Sequence, residues 1–241
     1  MSSQFAIYLL TSSNLRRGSD IRGAARHAPP TRQARALGVS PKISQMEVSH
    51  SELGPREFRA ATGDLVAVYA AAMNPPERLI GGRESIMDRH AASPGFRCLV
   101  AQADGLVAGF CYGFHGENGQ WWHDMVAGAL ASRSGAGCLT PGESAETKAW
   151  LEDSFEIAEL HVLPDYQGHG IGRSLLLSLA AEREERTAVL STADAETRAR
   201  RLYRGVGFTD LLTGFRFSGS EPPYAVMGAL LPLGLARPSS S

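Results

Sequence analysis

The order of hydrophobic and polar positions predicts a regular succession of helices and strands from residue 46 onward. A first strand is predicted over Met46–Ser49. Pro55 then stands at a helix start, and the helix ends at Asn74-Pro75-Pro76. A shorter helix is predicted over Arg83–Ala92. One face of the first helix carries its apolar residues, which are Phe58, Leu65, Tyr69, Ala72 and Met73.

Two apolar runs lie on either side of a turn dipeptide. Phe96–Ala103 and Leu106–Phe114 flank Asp104-Gly105. This dipeptide is typical of a two-residue hairpin, because both of its residues must adopt positive φ. An antiparallel pair within a chain that otherwise alternates helix and strand predicts a mixed α/β fold rather than an all-parallel sheet.

Residues 115–154 separate this hairpin from the next strand, and their pattern predicts a helical insertion. One apolar stripe contains Trp121, Met125, Val126 and Leu130, and Ser144 is a candidate cap for a second helix. The adjacent Trp121 and Trp122 fit either a substrate pocket or a packing anchor for the insertion.

The second half of the chain is predicted to complete the sheet. A turn at Pro164–Tyr166 and a Gly-rich loop at Gln167–Gly172 precede a helix that starts at Arg173, and a later helix covers Glu196–Arg204. The strands expected here are Phe155–Leu163, Ala188–Thr192, Leu211–Phe217 and Tyr224–Leu230.

Charge divides the chain into a basic extension and an acidic body. Up to Gln45 there are seven basic residues and one acidic residue, whereas the remainder has 17 basic and 24 acidic residues. Residues 1–44 are too poor in large apolar side chains to form a core, so we expect them to be disordered. One domain is expected over 45–232, with a flexible tail over 233–241. An acidic body attracts cationic ligands such as amines.

Cysteine and histidine usage argues against disulfides and metal sites. The three cysteines form no CxxC pair, and the seven histidines include no HExxH motif. We therefore expect no metal and a reducing, cytoplasmic location. No stretch reaches the roughly 18 consecutive apolar residues of a membrane span. Neither a membrane nor a specific nucleic acid is expected as a partner.

The Gly-rich loop is the most informative feature of the sequence. In Gly168-His169-Gly170-Ile171-Gly172, three glycines leave room for backbone amides to approach an anion at the start of a helix. A pyrophosphate suits this arrangement. A P-loop would need GxxxxGK[ST], which is absent. The Rossmann pattern GxGxxG fails because Arg173 follows Gly172, so the third glycine comes one position early.

The loop and its preceding strand resemble the signature of the GNAT superfamily of N-acetyltransferases. The stretch from Leu160 to Gly172 carries the motif, with Gln167, Gly170 and Gly172 at its defining positions. A second stretch, Ala199 to Phe208, resembles the later helix of the family and its terminal Gly-Phe. The resemblance covers Met46 to about Leu230. It implies a mostly antiparallel sheet of six to seven strands with helices on both faces, in which a splayed strand pair forms a V-shaped acetyl-CoA cleft.

This resemblance also implies roles for individual residues. The strand backbone at Leu160, His161 and Val162 would bind the pantetheine arm of acetyl-CoA. The amides from Gln167 through Gly168, His169, Gly170, Ile171 and Gly172 to Arg173 would bind its pyrophosphate. Glu159 is the first candidate for the general base and His161, on the same face of the strand, is the second. Tyr203 matches the general-acid position. Glu196 stands where many members have Asn.

These expectations together describe an N-acetyltransferase in which an amine attacks the thioester of acetyl-CoA directly. The rival interpretation is a protein of the same fold that binds acyl-CoA as a sensor or scaffold without turnover. The acceptor is expected to be an amine-bearing small molecule or protein, bound by the early helices, the insertion and the last strands.

Overall fold

The computed structural model describes residues 47–135, 149–217 and 222–234 of the 241-residue chain. The basic extension 1–44, Ser144 and Cys138 lie outside these residues. Both cysteines in the described part, Cys98 and Cys111, are buried and free. None of the helices described is long and apolar enough to cross a membrane.

Among the described residues, a sheet of seven strands forms the centre of the fold. In chain order its strands are β1 (Val48–Leu53), β2 (Arg97–Ala103), β3 (Leu106–Gly116), β4 (Ser154–Val162), β5 (Thr187–Ala193), β6 (Thr209–Phe215) and β7 (Tyr224–Leu230). Their spatial order is β1-β2-β3-β4-β5-β7-β6. Only β4 and β5 run parallel, and every other neighbouring pair is antiparallel. The predicted mixed, mostly antiparallel α/β sheet is confirmed.

Helices cover both faces of this sheet. In the described part of the chain they include α1 (Pro55–Met73), α2 (Arg83–His90), α3 (Trp121–Gly135), α4 (Ile171–Ala180) and α5 (Arg198–Arg204). The predicted hairpin is confirmed, since Asp104 and Gly105 have φ of 53° and 75° between β2 and β3. Trp122 anchors α3, because its Nε1 donates to Ser191 Oγ at 2.9 Å.

Two helix starts differ from the sequence prediction. The helix α4 begins at Ile171 rather than Arg173, because Gly170 takes the cap position and its carbonyl accepts from Ser174 N at 2.9 Å. The helix α5 begins at Arg198 rather than Glu196, because the Thr197 side chain caps it by accepting from Arg200 N.

Three apolar clusters fill the two faces of the sheet. The largest lies under α4 and α5 and includes Cys111 and Leu190. A second lies under α1 and α2 and includes Phe110 and Tyr112, which flank Cys111 in β3. A third lies under α3 and includes Val189, next to Leu190 in β5. Because side chains alternate along a strand, the second and third clusters share one face and the first occupies the other.

Candidate active site between β4 and β5

The two parallel strands at the centre of the sheet separate soon after they meet. They pair only from Ser154 to Glu156 on β4, where Glu156 lies opposite Val189. Beyond this point β5 pairs only with β7 and β4 only with β3. The other edge of β4, as far as Val162, is therefore left unpaired by any described strand. It exposes backbone N–H and C=O groups that an extended ligand can bind.

A β-bulge sets the direction of the side chains on this part of β4. Tyr112 lies opposite Glu159 and Gly113 opposite Ile157, so Ala158 is the extra residue. A Cβ at Gly113 would clash with the Glu156 carbonyl and the Phe155 ring. Beyond the bulge, Leu160 and Val162 pack into the cluster under α4. Glu159 and His161 face α1 and α2 instead.

The Gly-rich loop lies directly after β4. Gly168 and Gly170 have φ of 86° and 83°, a region that favours glycine. The Gln167 side chain braces the loop by donating to the Val162 carbonyl at 2.9 Å. Arg173 extends to the carbonyl end of α5, where it donates to Gly205 O at 3.1 Å.

The start of α4 offers backbone donors without acceptors. No side chain caps this helix. Within the described residues, the amides from Gly168 to Arg173 have no hydrogen-bond acceptor, whereas those of Gln167 and Ser174 are bonded to backbone carbonyls. Free amides at the positive end of a helix dipole suit a phosphate group.

Tyr203 lies on the α4 side of the sheet. It is 7% exposed and packs beside Phe208, with ring centroids 5.9 Å apart. Burial raises the pKa of its hydroxyl, with a further contribution from Cys111. The phenol is therefore protonated at neutral pH.

Glu159 lies on the opposite face, in a buried cluster of ionisable and aromatic groups. Its Oε1 is 3.2 Å from Arg83 Nη1, and its Oε2 is 3.3 Å from His161 Nε2. Burial alone would raise the pKa of Glu159, but Arg83 and then His161 outweigh burial and lower it to about 2. The structure thus joins the two residues predicted as base candidates and adds Arg83, which the sequence analysis did not single out.

Glu156 is a second buried carboxyl that the sequence analysis missed. It lies at the last pair between β4 and β5 and is 2% exposed. Among the described residues, its Oε2 has no hydrogen-bond partner. Burial raises its pKa to about 8. Its side chain shares the face of Val189, on which α1, α2 and α3 lie. The sequence did contain a signal for Glu156, namely a glutamate inside a predicted buried apolar strand, because such a residue is rarely buried without a partner.

These features together define a class of protein. An unpaired strand edge that leads to an uncapped, Gly-rich helix start matches the expected acetyl-CoA cleft, with ionisable residues on the other face of the same strand. This arrangement is the one expected of an acyl-CoA-dependent acyltransferase.

Comparison with known proteins agrees with this class. Residues 94–210 match the acetyltransferase (GNAT) domain. The GCN5-like protein acetyltransferase Rv2170 of Mycobacterium tuberculosis is 32% identical over 207 residues, which cover 76% of this chain and 97% of that protein. The chain belongs to the GNAT family of acetyltransferases. It is an acetyltransferase, and acetyl-CoA is its cosubstrate, as in the family.

Solved structures share the fold at low sequence identity. A protein assigned to the GNAT family from Desulfovibrio desulfuricans has a TM-score of 0.53 at 14% identity, covering 76% of this chain and 99% of that one. The aminoglycoside 6'-acetyltransferase type Ii has a TM-score of 0.51 at 15% identity, covering 79% and 99%.

Proposed function

We propose that this protein transfers the acetyl group of acetyl-CoA to a primary amine of a protein, by direct attack of the amine on the thioester. The observation that carries the proposal is the opening between β4 and β5, which has free amides at one end and buried carboxyls beside it. A protein acceptor is supported by the Mycobacterium tuberculosis relative, which is named as a protein acetyltransferase.

The cosubstrate would be bound by backbone groups. In the proposal, Leu160, His161 and Val162 hold the pantetheine arm along the unpaired edge of β4. The amides from Gln167 to Arg173 then hold the pyrophosphate, with those from Gly168 onward free to donate. A β4 amide facing the thioester carbonyl would stabilise the oxyanion that develops during attack.

The acceptor amine must lose a proton. A lysine amine has a pKa of about 10.4, so deprotonation near pH 7 costs about 4–5 kcal/mol. Glu159 is our first candidate for the base and His161 the second. The ion pair with Arg83 works against Glu159, because a carboxylate with a pKa of about 2 holds a proton weakly. Glu156 enters as an alternative, since its unpartnered oxygen and its pKa of about 8 suit proton transfer near neutral pH.

The departing thiolate must gain a proton, and Tyr203 is the proposed donor. Its hydroxyl stays protonated at neutral pH because burial raises its pKa. Tyr203 belongs to the cluster under α4, whereas Glu159 faces α2. The acid and the base would therefore act from opposite faces of the sheet.

The activity is tested with the full chain, acetyl-CoA and a panel of amines, by measuring CoA release. The panel contains lysine peptides, peptides with a free N-terminus, a polyamine and an aminoglycoside. We expect turnover with a peptide amine and little with the two small molecules. Saturable acetyl-CoA binding without turnover on any amine would favour the alternative of a non-catalytic acyl-CoA sensor or scaffold. Turnover on a small amine alone would exclude a protein acceptor.

The base is tested by the pH dependence of kcat/KM in three variants. The acidic limb of the profile reports the pKa of the essential base in the free enzyme. If Glu156 is the base, Glu156→Gln removes a limb near pH 8 while Glu159→Gln keeps it. Loss of the limb in Glu159→Gln or His161→Asn alone assigns the base to that residue.

A further inference from the structure

Arg83 is buried although it carries a charge that cannot be neutralised by proton loss. It is the first residue of α2 and is 1% exposed. Its guanidinium lies over the Tyr69 ring, with Cζ 3.8 Å from the ring centroid, and its Nη1 is 3.2 Å from Glu159 Oε1. An arginine in such a place is tolerated only with a counter-charge, which Glu159 provides.

The same carboxylate faces His161 on its other side. Glu159 Oε2 is 3.3 Å from Nε2 of His161, and both side chains are almost fully buried. Neither oxygen of Glu159 has a well-aligned hydrogen bond among the described residues, so the contact with His161 is electrostatic. A ring nitrogen at this distance from a carboxylate is favoured to carry a hydrogen, because its lone pair would otherwise repel the oxygen. The ring is held from the sides by Tyr69 and Phe110, whose centroids are 5.2 and 5.4 Å away.

Within the part of the chain that the structure describes, Arg83 is the one fixed positive charge among the main groups that act on Glu159. Arg83 and His161 are the largest opposing charges on its carboxyl, followed by His90, whose own pKa burial lowers to about 4. The remaining buried groups of the described residues that interact with Glu159 or Arg83 are neutral near pH 7, because burial raises the pKa of each; they are Tyr69, Cys98, Cys111, Tyr112 and Tyr224.

We infer that Arg83 is a positioning residue that acts through Glu159 on His161. Arg83 keeps Glu159 ionised, and the ionised carboxylate fixes the hydrogen of His161 on Nε2. The inference concerns the acceptor face of the proposed site and rests on the proposed function for its catalytic meaning.

The tautomer can be measured without any acetylation, so the proposed function and this inference can fail separately. In the full chain labelled with ¹⁵N-histidine, ring nitrogen shifts distinguish the two tautomers. We expect neutral His161 to carry its hydrogen on Nε2 alone, and His161→Asn identifies its signals. In Arg83→Gln and in Glu159→Gln we expect a mixture of tautomers, whereas Arg83→Lys, which keeps the charge, retains the Nε2 form. The exposed His50 is the internal control and should not change.

Activity supplies the second readout, through a double-mutant cycle between Arg83→Gln and Glu159→Gln. The effects of substitutions within one network of contacting residues are not additive. We expect each single variant to lower kcat/KM for the amine about tenfold and the double variant to lose little more, with acetyl-CoA affinity unchanged. Far-ultraviolet circular dichroism is the control for whether each variant is folded. If Arg83→Gln and Glu159→Gln do not fold, Arg83→Lys still tests the inference, because a mixture of His161 tautomers in this charge-keeping variant would contradict it.

Two results would overturn the inference. One is an unchanged His161 tautomer in Glu159→Gln, since the carboxylate would then not hold the ring hydrogen. The other is additive loss of activity in the double variant, since Arg83 would then act independently of Glu159. A wild-type protein without turnover would refute the proposed function and leave the tautomer result standing.

Discussion

At the scale of single residues, the site contrasts two glutamates on one strand. Glu156 and Glu159 are both almost fully buried, yet their pKa values move in opposite directions. Glu156 has only burial acting on it, which penalises the charged form. Glu159 suffers the same penalty, but Arg83 beside it stabilises the carboxylate. One neighbouring charge therefore decides which carboxyl is ionised at neutral pH.

Replacing Glu159 with glutamine should destabilise the protein strongly. The change leaves Arg83 buried without its counter-ion. Breaking a buried ion pair in this way lowers the free energy of unfolding by about 3–5 kcal/mol. Chemical denaturation at pH 7 measures the free energy of unfolding. The matched control is Glu52→Gln, which breaks the more exposed pair with Arg97 at 3.0 Å and should cost less than about 1 kcal/mol. Equal losses in the two variants would contradict the buried pair.

Tyr203→Phe should depress turnover and leave acetyl-CoA affinity nearly unchanged. The ring keeps its packing beside Phe208, so only the proposed proton donor is lost. Removal of a general acid lowers kcat about 10²–10⁴-fold. Steady-state kinetics and calorimetric acetyl-CoA binding measure the two effects. Unchanged kcat would show that Tyr203 is a core residue without a catalytic role.

At the scale of elements, the site depends on how β4 ends and α4 begins. The bulge at Ala158 turns Glu159 and His161 toward α2 and leaves Leu160 and Val162 against α4. The next residues form a short 3₁₀ turn and then the Gly-rich loop. Strand edge and helix start are therefore contiguous, and one extended ligand can contact both.

Gly170→Ala should weaken acetyl-CoA binding. Gly170 has φ of 83° and its carbonyl closes the first turn of α4. A non-glycine residue in this region costs about 1–2 kcal/mol, so we expect the loop to shift and the affinity to fall about tenfold. Titration calorimetry measures it. The control is Gly63→Ala in α1, where a Cβ meets nothing within 4 Å and stability should rise slightly.

At the scale of the whole molecule, the two glutamates give stability a pH dependence of opposite sign. Glu159 has a lowered pKa, so its contribution is present above pH 4.5 and is lost as pH falls toward 2. Glu156 has a raised pKa. The folded state therefore holds a proton between pH 4.5 and about 8 that the unfolded chain has released, and stability falls as pH rises through this window.

The wild-type free energy of unfolding should thus decline between pH 5 and 8, and Glu156→Gln should remove much of the decline. A shift from 4.5 to about 8 corresponds to about 5 kcal/mol as an upper bound. Denaturant titrations of both proteins across this range measure the difference. A parallel pH dependence in the two proteins would contradict the buried, unpartnered carboxyl.

The sequence by itself determined the elements whose signals are local. The Asp104-Gly105 turn, the Pro55 helix start and the Tyr224–Leu230 strand lie where the pattern predicted them. The helix start at Ile171 was missed by two residues, because Gly170 serves as the cap rather than as part of a longer loop. Local backbone preferences and the alternation of apolar and polar residues depend only on neighbouring positions, so they can be predicted without knowing the fold.

Tertiary structure alone decided the environment of the ionisable groups. Arg83 lies 76 residues before Glu159 in the chain, and nothing in the local sequence of either indicates their ion pair. Glu156 and Glu159 look alike in sequence, and their pKa values separate only when the fold places Arg83 beside one of them. Charge interactions and burial depend on distance in space, which the order of residues does not contain.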